Sequence, residues 1–447
     1  MAITCQRRFQ TLMLIAAGAS MLLLVANRLQ ASQPFRLLST ETSSGWWEVR
    51  FEGPHKLYQM ESSDDLKHWQ SIAQFWPVGT NYSVVVPLAG DKQFFRAHRI
   101  SPLNDDFAER FHLSGSIIET NASVYGATFE PGEQNPAQDD GSIWYEWTAP
   151  ADGVASLSID YTNFNPTMEL DVYRGTCLAN LNPFSAGLVS SLTFWASNQT
   201  VYQLSVRGRS TIPDNLQLRF TFSIPPTVSL LQPMDGARLF APGPIPFVAD
   251  AHDPDGFISQ VEFVTAGGAI HKTITNAPWS LDVTNFPAGF FSIHAIATDN
   301  LGVQSETDYV NFTVAPPNDD FDRRAPLTGT NLTFRGSNVG SSREADEPIH
   351  HNVFGTNSVW WSWTAPSSGP VTISTIATGV YDILAVYTGE ALSSLVEIGS
   401  AVASAGSTSA VVNFNAVQGT EYQIVIDSRA FTGSVTTGSV RGAIQMH

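Results

Sequence analysis

The stretch Trp360-Trp361-Ser362-Trp363-Thr364-Ala365-Pro366 decides the fold, because the chain contains it twice. Its earlier copy is Trp144-Tyr145-Glu146-Trp147-Thr148-Ala149-Pro150. The same opener precedes both, as Asn104-Asp105-Asp106-Phe107 and as Asn318-Asp319-Asp320-Phe321, and a Val-Tyr-x-Gly segment follows both. Landmarks that recur in the same order predict a duplicated module with another domain inserted between the copies.

Composition narrows the class of protein. Only 14% of the 447 residues are charged and 11% are aromatic, and the chain holds 33 Gly and 26 Pro, which favours turn-rich β modules. No helical period lasts ten residues after Ala31, so the remaining chain is predicted to be all-β. The formal net charge of -18 disfavours nucleic acid and anionic lipid as partners and tolerates divalent cations.

The first 31 residues have the pattern of an export signal. Arg7 and Arg8 form a charged start, residues 11–26 are uncharged and mostly apolar, and Ala31 offers a small residue at the cut. The apolar run is shorter than the ~20 residues that a membrane-spanning helix needs. We therefore expect a cleaved signal, no membrane insertion afterwards, and an extracellular or cell-surface protein, with the periplasm as a further location.

The module between the two copies carries its own motifs. Asp253-Pro254-Asp255-Gly256 is followed by Val261-Glu262-Phe263 and, later, by Ala295-Ile296-Ala297-Thr298-Asp299-Asn300. Short strands separated by turn signals at such intervals favour a β-sandwich. Over residues 226–315 the motifs resemble the bacterial immunoglobulin-like domain, which implies an immunoglobulin-like fold.

The two copies resemble a bacterial extracellular β-sandwich family related to the pre-peptidase C-terminal domain. The later copy carries this resemblance in Glu347-Pro348-Ile349-His350, in residues 358–366 and in residues 381–389. The earlier copy departs from the pattern, with Glu133-Gln134-Asn135-Pro136 and Met168 at the corresponding places. The resemblance implies accessory domains of surface proteins or enzymes and implies no catalysis.

The predicted fold class is all-β, with tandem β-sandwich modules in which jelly-roll-like repeats flank an immunoglobulin-like domain after a signal peptide. Pro225-Pro226 and Pro316-Pro317 are stiff joints between modules. The predicted boundaries are a signal peptide at 1–31, a small β domain at 32–101, repeat A at 102–225, the immunoglobulin-like domain at 226–316 and repeat B at 317–447.

Alternation along the repeated strand assigns its tryptophans to two faces. Tyr145 and Trp147, like Trp361 and Trp363, are predicted to face the core. Trp144 and Trp360 then face the opposite way, as candidate ligand-binding residues that stack on a sugar ring. In the alternative interpretation, the long loop that precedes each strand folds over these two indoles.

Acidic turns are the candidate metal sites. Asp319 and Asp320 of the second opener, and Asp253, Asp255 and Asp299 of the central module, offer the oxygen ligands that Ca²⁺ prefers. In the alternative interpretation, the opener caps one helical turn, with Asn104 or Asn318 at the cap position. An EF-hand at Asp253 is rejected, because position 1 is occupied by Ala251.

No catalytic motif is found. The chain has no His-Glu-x-x-His, no Gly-x-Ser-x-Gly and no phosphate-binding loop, and His350 is predicted to be a structural, hydrogen-bonded residue. We therefore predict a secreted or cell-surface, non-catalytic binding or spacer protein for adhesion or glycan contact. Its expected partners are a glycan or a surface protein, and calcium is its one candidate cofactor. The alternative is a polysaccharide-directed hydrolase, or an accessory module of one.

Overall fold

The computed structural model describes most of the chain as a series of β modules. The described residues are 11–17, 20–24, 36–41, 46–52, 55–76, 81–87, 92–133, 140–161, 168–187, 190–211, 215–376, 382–403, 409–428, 430–431, 434–435 and 437–447. Within these ranges every regular element is a strand or a three-residue 3-10 helix, so the all-β prediction is confirmed. None of the described helices has the length and apolar character needed to cross a bilayer.

The small β domain contains two sheets. Its strands are β1 (Thr11–Ala17), β2 (Ser20–Leu24), β3 (Arg36–Glu41), β4 (Trp46–Glu52), β5 (Tyr58–Ser63), β6 (Gln70–Phe75), β7 (Asn81–Pro87) and β8 (Lys92–Arg99). The sheet orders are β3-β4-β7 and β2-β1-β8-β5-β6. Phe51 and Phe95 lie in the core between the two sheets.

Strands β1 and β2 lie in the segment predicted to be the export signal, and β1 pairs antiparallel with β8. The charged start and the cut of that signal, in residues 1–10 and 25–35, lie outside the described residues. Export therefore stays a prediction.

Repeat A is a two-sheet sandwich. Its strands are β9 (Phe111–Leu113), β10 (Ile117–Ala122), β11 (Asp140–Thr148), β12 (Gly153–Tyr161), β13 (Glu169–Arg174), β14 (Asn182–Gly187), β15 (Ser191–Ala196), β16 (Val201–Arg209) and β17 (Leu216–Ser223), with 3-10 helices at Phe107–Glu109 and Leu178–Asn180. The sheet orders are β10-β17-β12-β15 and β14-β13-β16-β11-β9. Strand β17 shows why the sheets pack, since its buried Leu218 and Phe220 alternate with exposed Gln217 and Arg219.

The central module is a second kind of sandwich. Its strands are β18 (Thr227–Gln232), β19 (Ala237–Phe240), β20 (Ile245–His252), β21 (Ile258–Thr265), β22 (His271–Ile274), β23 (Ser280–Val283), β24 (Gly289–Asp299), β25 (Gln304–Glu306) and β26 (Val310–Ala315), with a 3-10 helix at Ala266–Gly268. One sheet is β18-β20-β23, and the other is β19-β26-β24-β21-β22 with β25 paired to β24. Phe247 and Phe263 pack between the sheets.

Repeat B has the strands β27 (Ala325–Leu327), β28 (Asn331–Ser337), β29 (Val359–Thr364), β30 (Gly369–Thr375), β31 (Asp382–Thr388), β32 (Val396–Val402), β33 (Val411–Ala416), β34 (Glu421–Ser428), β35 (Ala430–Phe431), β36 (Ser434–Val435) and β37 (Ser439–Met446). Its 3-10 helices are Phe321–Arg323, His350–Asn352 and Leu392–Ser394. The sheet orders are β28-β37-β30-β33 and β27-β29-β34-β31-β32, and β35 pairs with β36.

The strand orders confirm the duplication. Strands β10, β17, β12 and β15 of repeat A correspond in order to β28, β37, β30 and β33 of repeat B, and the second sheets correspond in the same way. Trp147 pairs with Tyr202 in one repeat, as Trp363 pairs with Tyr422 in the other. Both tryptophans lie in the main core of their repeat, as predicted.

The chain forms two compact units, Met1–Ile224 and Pro225–His447. Each unit joins one leading module to one repeat: the small β domain leads repeat A, and the central module leads repeat B. The joint at Pro225-Pro226 lies at the boundary between the units, whereas Pro316-Pro317 lies inside the second unit. The second Pro-Pro joint therefore does not separate independent units.

Candidate functional site

The two tryptophans predicted to stack on sugars are covered. Trp144 is 2% exposed and Trp360 is 0% exposed. In repeat A the ring of Phe107 meets Trp144 edge-on, with 5.2 Å between the ring centroids. In repeat B the ring of Phe321 meets Trp360 in the same way at 5.1 Å. The stacking prediction is therefore wrong for both residues, because each indole lies in a small second core closed by the phenylalanine of the opener.

The preceding loop also contributes to this cover in repeat A. Glu133 accepts hydrogen bonds from the indole nitrogen of Trp144 at 3.3 Å and from the hydroxyl of Ser142 at 2.7 Å. Burial raises the pKa of Glu133 to about 7, against the lowering effect of these two donors. The interpretation in which a loop folds over the indole is the one that the structure supports.

In repeat B a histidine of the corresponding loop, His350, packs beside the buried indole. Nε2 of His350 contacts Oε1 of Glu347 at 2.9 Å, and Nδ1 contacts the hydroxyl of Tyr387 at 2.8 Å. His350 is 1% exposed, and its ring lies 5.6 Å from that of Trp360. Because protein groups occupy both ring nitrogens, His350 is a structural residue, as predicted, and offers no nitrogen to a metal.

The asparagines of the two openers are not helix caps. The side-chain amide of Asn104 donates to the carbonyl of Trp144 at 3.1 Å, and that of Asn318 donates to the carbonyl of Trp360 at 3.0 Å. A glutamate from the next loop instead accepts the first backbone N–H of each helical turn: Oε2 of Glu130 lies 2.5 Å from the nitrogen of Phe107, and Oε2 of Glu344 lies 2.5 Å from that of Phe321. The cap prediction is wrong because tertiary contacts replace the local cap.

The acid pair of each opener holds a cation from the leading module. In the first unit Nζ of Lys56 lies 2.6 Å from Oδ2 of Asp105 and 2.5 Å from Oδ1 of Asp106. Asp105 is fully buried, and Lys56 is 7% exposed. Burial raises the pKa of Asp105, while the Lys56 ammonium acts in the opposite direction.

The second unit repeats this contact with another residue type. Arg238 of the central module pairs with Asp319 and lies 2.5 Å from Oδ1 of Asp320. Its guanidinium also lies 4.5 Å from the centre of the Phe240 ring. Arg238 thus supplies the positive charge that calcium was predicted to supply at Asp319 and Asp320, and the structure corrects that assignment. We call these two contacts, Lys56 with Asp105-Asp106 and Arg238 with Asp319-Asp320, the acid-pair clamps.

A glycine lets each repeat come close to its leading module. Gly126 has φ +73°, and a Cβ built on it would lie 2.8 Å from Cδ2 of Leu57 in the small domain. Gly340 has φ +74°, and its Cβ would lie 2.7 Å from the carbonyl oxygen of Val314 in the central module. Both positions combine left-handed backbone with a close approach, so a larger residue at either one would strain the module contact.

The remaining predicted metal ligands organise two neighbouring turns. Oδ1 of Asp253 accepts the backbone N–H of Asp255 at 3.2 Å, and Oδ1 of Asp299 accepts those of Leu301 and Val303, each at 2.8 Å. Oδ2 of Asp253 is buried and makes no hydrogen bond. Among the described residues no three His, Cys, Asp or Glu side chains converge in a geometry that could hold a metal ion.

Sequence reasoning missed an exposed tryptophan in repeat A. Trp195 on β15 is 53% exposed, more than any other tryptophan whose side-chain burial the structure describes. The neighbouring Phe194 and Ala196 are buried, whereas Thr193 is exposed. The alternation of Leu192, Phe194 and Ala196 with Thr193 and Trp195 was the signal that could have found it.

Comparison with known families identifies the central module. Residues 226–307 match the family model of the bacterial Ig domain, so the immunoglobulin-like prediction from its motifs is confirmed. No curated protein matches the chain.

Three solved structures illustrate what the modules are similar to. The fibronectin(III)-like modules of CbhA from Clostridium thermocellum share 25% identity over 20% of this chain and 94% of theirs, with a TM-score of 0.18. The pre-peptidase C-terminal domain of collagenase from Bacillus anthracis shares 15% over 27% of this chain and 94% of its own, with a TM-score of 0.19. A carbohydrate-binding module of the β-sandwich superfamily shares 10% over 50% of this chain and 97% of its own, with a TM-score of 0.18. At these TM-scores the similarities carry no conclusion about function.

Proposed function

We propose that this protein is exported and acts at the cell surface, or after release from it, as a non-catalytic binding and spacing protein that contacts glycans. The observation that carries the proposal is the acid-pair clamp, which is built twice from different cations, Lys56 and Arg238. An ion pair that includes a buried carboxylate restricts the relative rotation of the two modules it joins, because a small rotation would move the cation away while the carboxylate stays shielded from water. Each unit then presents its surfaces in a fixed arrangement.

A binding role accounts for the buried acids better than a hydrolase does. A paired-carboxylate hydrolase needs two acids that face a groove open to water and substrate. The buried acids of the repeats contact protein groups instead: Asp105 contacts Lys56, Glu133 contacts Trp144, and Glu347 contacts His350. Asp105 and Glu347 are buried and Glu133 is half-buried, and these contacts hold all three carboxylates within the fold.

Two measurements on the purified protein test this function. Native electrophoresis through gels that contain soluble polysaccharides is expected to show retardation by at least one of them. Incubation with the same polysaccharides is expected to release no reducing ends. Release of reducing ends would establish the hydrolase alternative. Mass spectrometry of secreted protein should find a new N-terminus near residue 32, whereas an intact Met1 on cytoplasmic protein would contradict export.

We also propose that the turns around Asp253 and Asp299 hold Ca²⁺ in the extracellular medium. The buried Oδ2 of Asp253 makes no hydrogen bond, and an unsatisfied buried carboxylate oxygen is costly. Oδ1 of Asn300, which also accepts the backbone N–H of Phe257 at 3.0 Å, lies nearby, since a Cβ built on Gly256 would lie 2.5 Å from the Asp253 oxygen and 2.0 Å from the Asn300 oxygen. Asp255, one residue before Gly256, supplies a further carboxylate, and extracellular modules bind Ca²⁺ weakly, at ~10⁻⁴–10⁻³ M.

A further inference from the structure

The outward face of the sheet β10-β17-β12-β15 of repeat A is mostly polar and carries one large aromatic side chain, with exposed Ile117 on β10 opposite Thr221. We call it the outer face of repeat A. On each of its strands the side chains alternate between this face and the core, and the face is defined by Trp195, Thr193, Ser156, Thr221, Arg219 and Glu119. Trp195 lies on the edge strand β15, opposite Val154 on β12. Its indole makes no hydrogen bond and no ring contact with the described residues, so more than half of its surface remains open.

Beside Trp195 the face carries hydroxyl groups in register. Thr193 pairs with Ser156 across β15 and β12, and Ser156 pairs with Thr221 across β12 and β17. The hydroxyls of Thr193 and Ser156 lie 3.1 Å apart. Strands are spaced ~4.8 Å apart, so this row runs ~10 Å across the sheet next to the indole. Each hydroxyl both donates and accepts hydrogen bonds, as the hydroxyls of a sugar chain require.

Two of the charges on this face form an ion pair, and Asp160, exposed on the same side of β12 as Ser156, adds one negative charge. Nε of Arg219 lies 3.4 Å from Oε1 of Glu119, and both side chains are about half exposed. The whole chain is strongly acidic, with a formal charge of -18, which repels anionic polymers over longer distances. The electrostatics therefore favour an uncharged ligand over an acidic one.

We propose that the outer face of repeat A binds a neutral polysaccharide chain, with Trp195 as the ring on which a sugar stacks. This inference rests on the proposed glycan contact and names its site and its ligand class. The apolar C–H face of a sugar ring covers the indole, which removes apolar surface from water. The hydroxyl row of Thr193, Ser156 and Thr221 then hydrogen-bonds the sugars that follow.

Repeat B provides an internal comparison. The Gly153–Ala196 pair of repeat A corresponds to the Gly369–Ala416 pair of repeat B. The next pair along the strands is Val154–Trp195 in repeat A and Pro370–Asn415 in repeat B. Asn415 therefore occupies in repeat B the place that Trp195 occupies in repeat A. Binding is assigned to repeat A alone, and Asn415 offers a matched control.

The test uses the full chain in native gels that contain hydroxyethyl cellulose, galactomannan, xylan or, as the acidic probe, polygalacturonate. At least one neutral polysaccharide should retard the protein. Trp195→Ala should weaken that binding about 30-fold, as expected for truncation of a central tryptophan. Trp195→Phe should weaken it less, and Asn415→Ala should leave it unchanged. Because Trp195 is half exposed, the melting temperature of Trp195→Ala should stay close to that of the parent protein.

The experiment distinguishes failure of the proposed binding site from failure of the proposed glycan contact. Retardation that is equal for Trp195→Ala and the parent protein would overturn this site and leave the proposed glycan contact standing. Retardation by polygalacturonate alone would overturn the neutral ligand class. No retardation by any of the four probes would overturn both the site and the glycan contact.

Discussion

Replacing Lys56 by methionine removes the ammonium group of the first acid-pair clamp and leaves an unbranched apolar side chain that is one atom shorter. Lys56 is 7% exposed and contacts three groups: Asp105 at 2.6 Å, Asp106 at 2.5 Å and the hydroxyl of Thr128 at 2.9 Å. Asp105 is fully buried, so its charge would lose its nearest cation and keep only the Arg99 guanidinium at 3.6 Å. Removing one partner of a buried ion pair costs about 3–5 kcal/mol. For a unit of this size that corresponds to a fall in Tm of about 6–20 °C.

Urea denaturation at pH 7 and at pH 4, with tryptophan fluorescence as the signal, measures this loss. Burial raises the pKa of Asp105 above its unfolded value, and loss of the ammonium raises it further. A protonated Asp105 carries no charge, so the deficit of Lys56→Met should be small at low pH and grow as the pH rises through the folded pKa. Lys56→Met combined with Asp105→Asn should recover most of the loss, because Oδ1 of the asparagine still accepts the N–H of Thr128.

Lys67→Met, at an exposed lysine of the same module, is the control and should change the free energy of unfolding by less than about 0.5 kcal/mol. A loss for Lys56→Met that matches the control, or one that does not depend on pH, would refute the clamp as a source of stability.

Three further predictions follow from the buried groups. Trp363→Ala and Trp360→Ala should each lower the free energy of unfolding by about 3–5 kcal/mol in urea titrations, because both indoles are buried; a much smaller loss for Trp360 would mean that its cover opens easily. The pKa of Glu133 is raised to about 7, so the stability that its protonated form contributes to folding is lost as the pH rises through 7. Glu133→Gln should flatten that part of a curve of Tm against pH, and an unchanged curve would contradict this prediction. Calcium at ten times its Kd should stabilise the protein by about 1.4 kcal/mol relative to chelator, and Asp253→Asn should abolish the gain; identical melts in Ca²⁺, Mg²⁺ and chelator would exclude the site.

The duplication, and which side chains of the repeated strand face the core, could both be predicted from the sequence. Landmarks in the same order recur in both copies, and alternation assigned Trp147 and Trp363 to the core, where the structure places them. Both signals are local, since they depend on residues within one strand or on the order of short motifs. Local signals of this kind survive folding because strand periodicity determines which side chains face the core.

What covers the other face of the repeated strand depends on residues that are distant in sequence. Alternation placed Trp144 outside the main core correctly, but the ring that closes over it belongs to Phe107, well before it in the chain. The partner of Asp105 is Lys56, 49 residues away in another module, and no motif connects the two. The second clamp uses Arg238, 81 residues from Asp319, so even the cation type is not repeated. Pairings of this kind become visible only when two modules are docked.

Differential scanning calorimetry of the full chain tests most directly the claim that each repeat is clamped to its leading module. Cooperative docking predicts two unfolding transitions, one for residues 1–224 and one for residues 225–447. Lys56→Met should lower only the first of these transitions, and Arg238→Met should lower only the second. Four separate transitions in the parent protein, or a single transition lowered by both substitutions, would contradict the clamps.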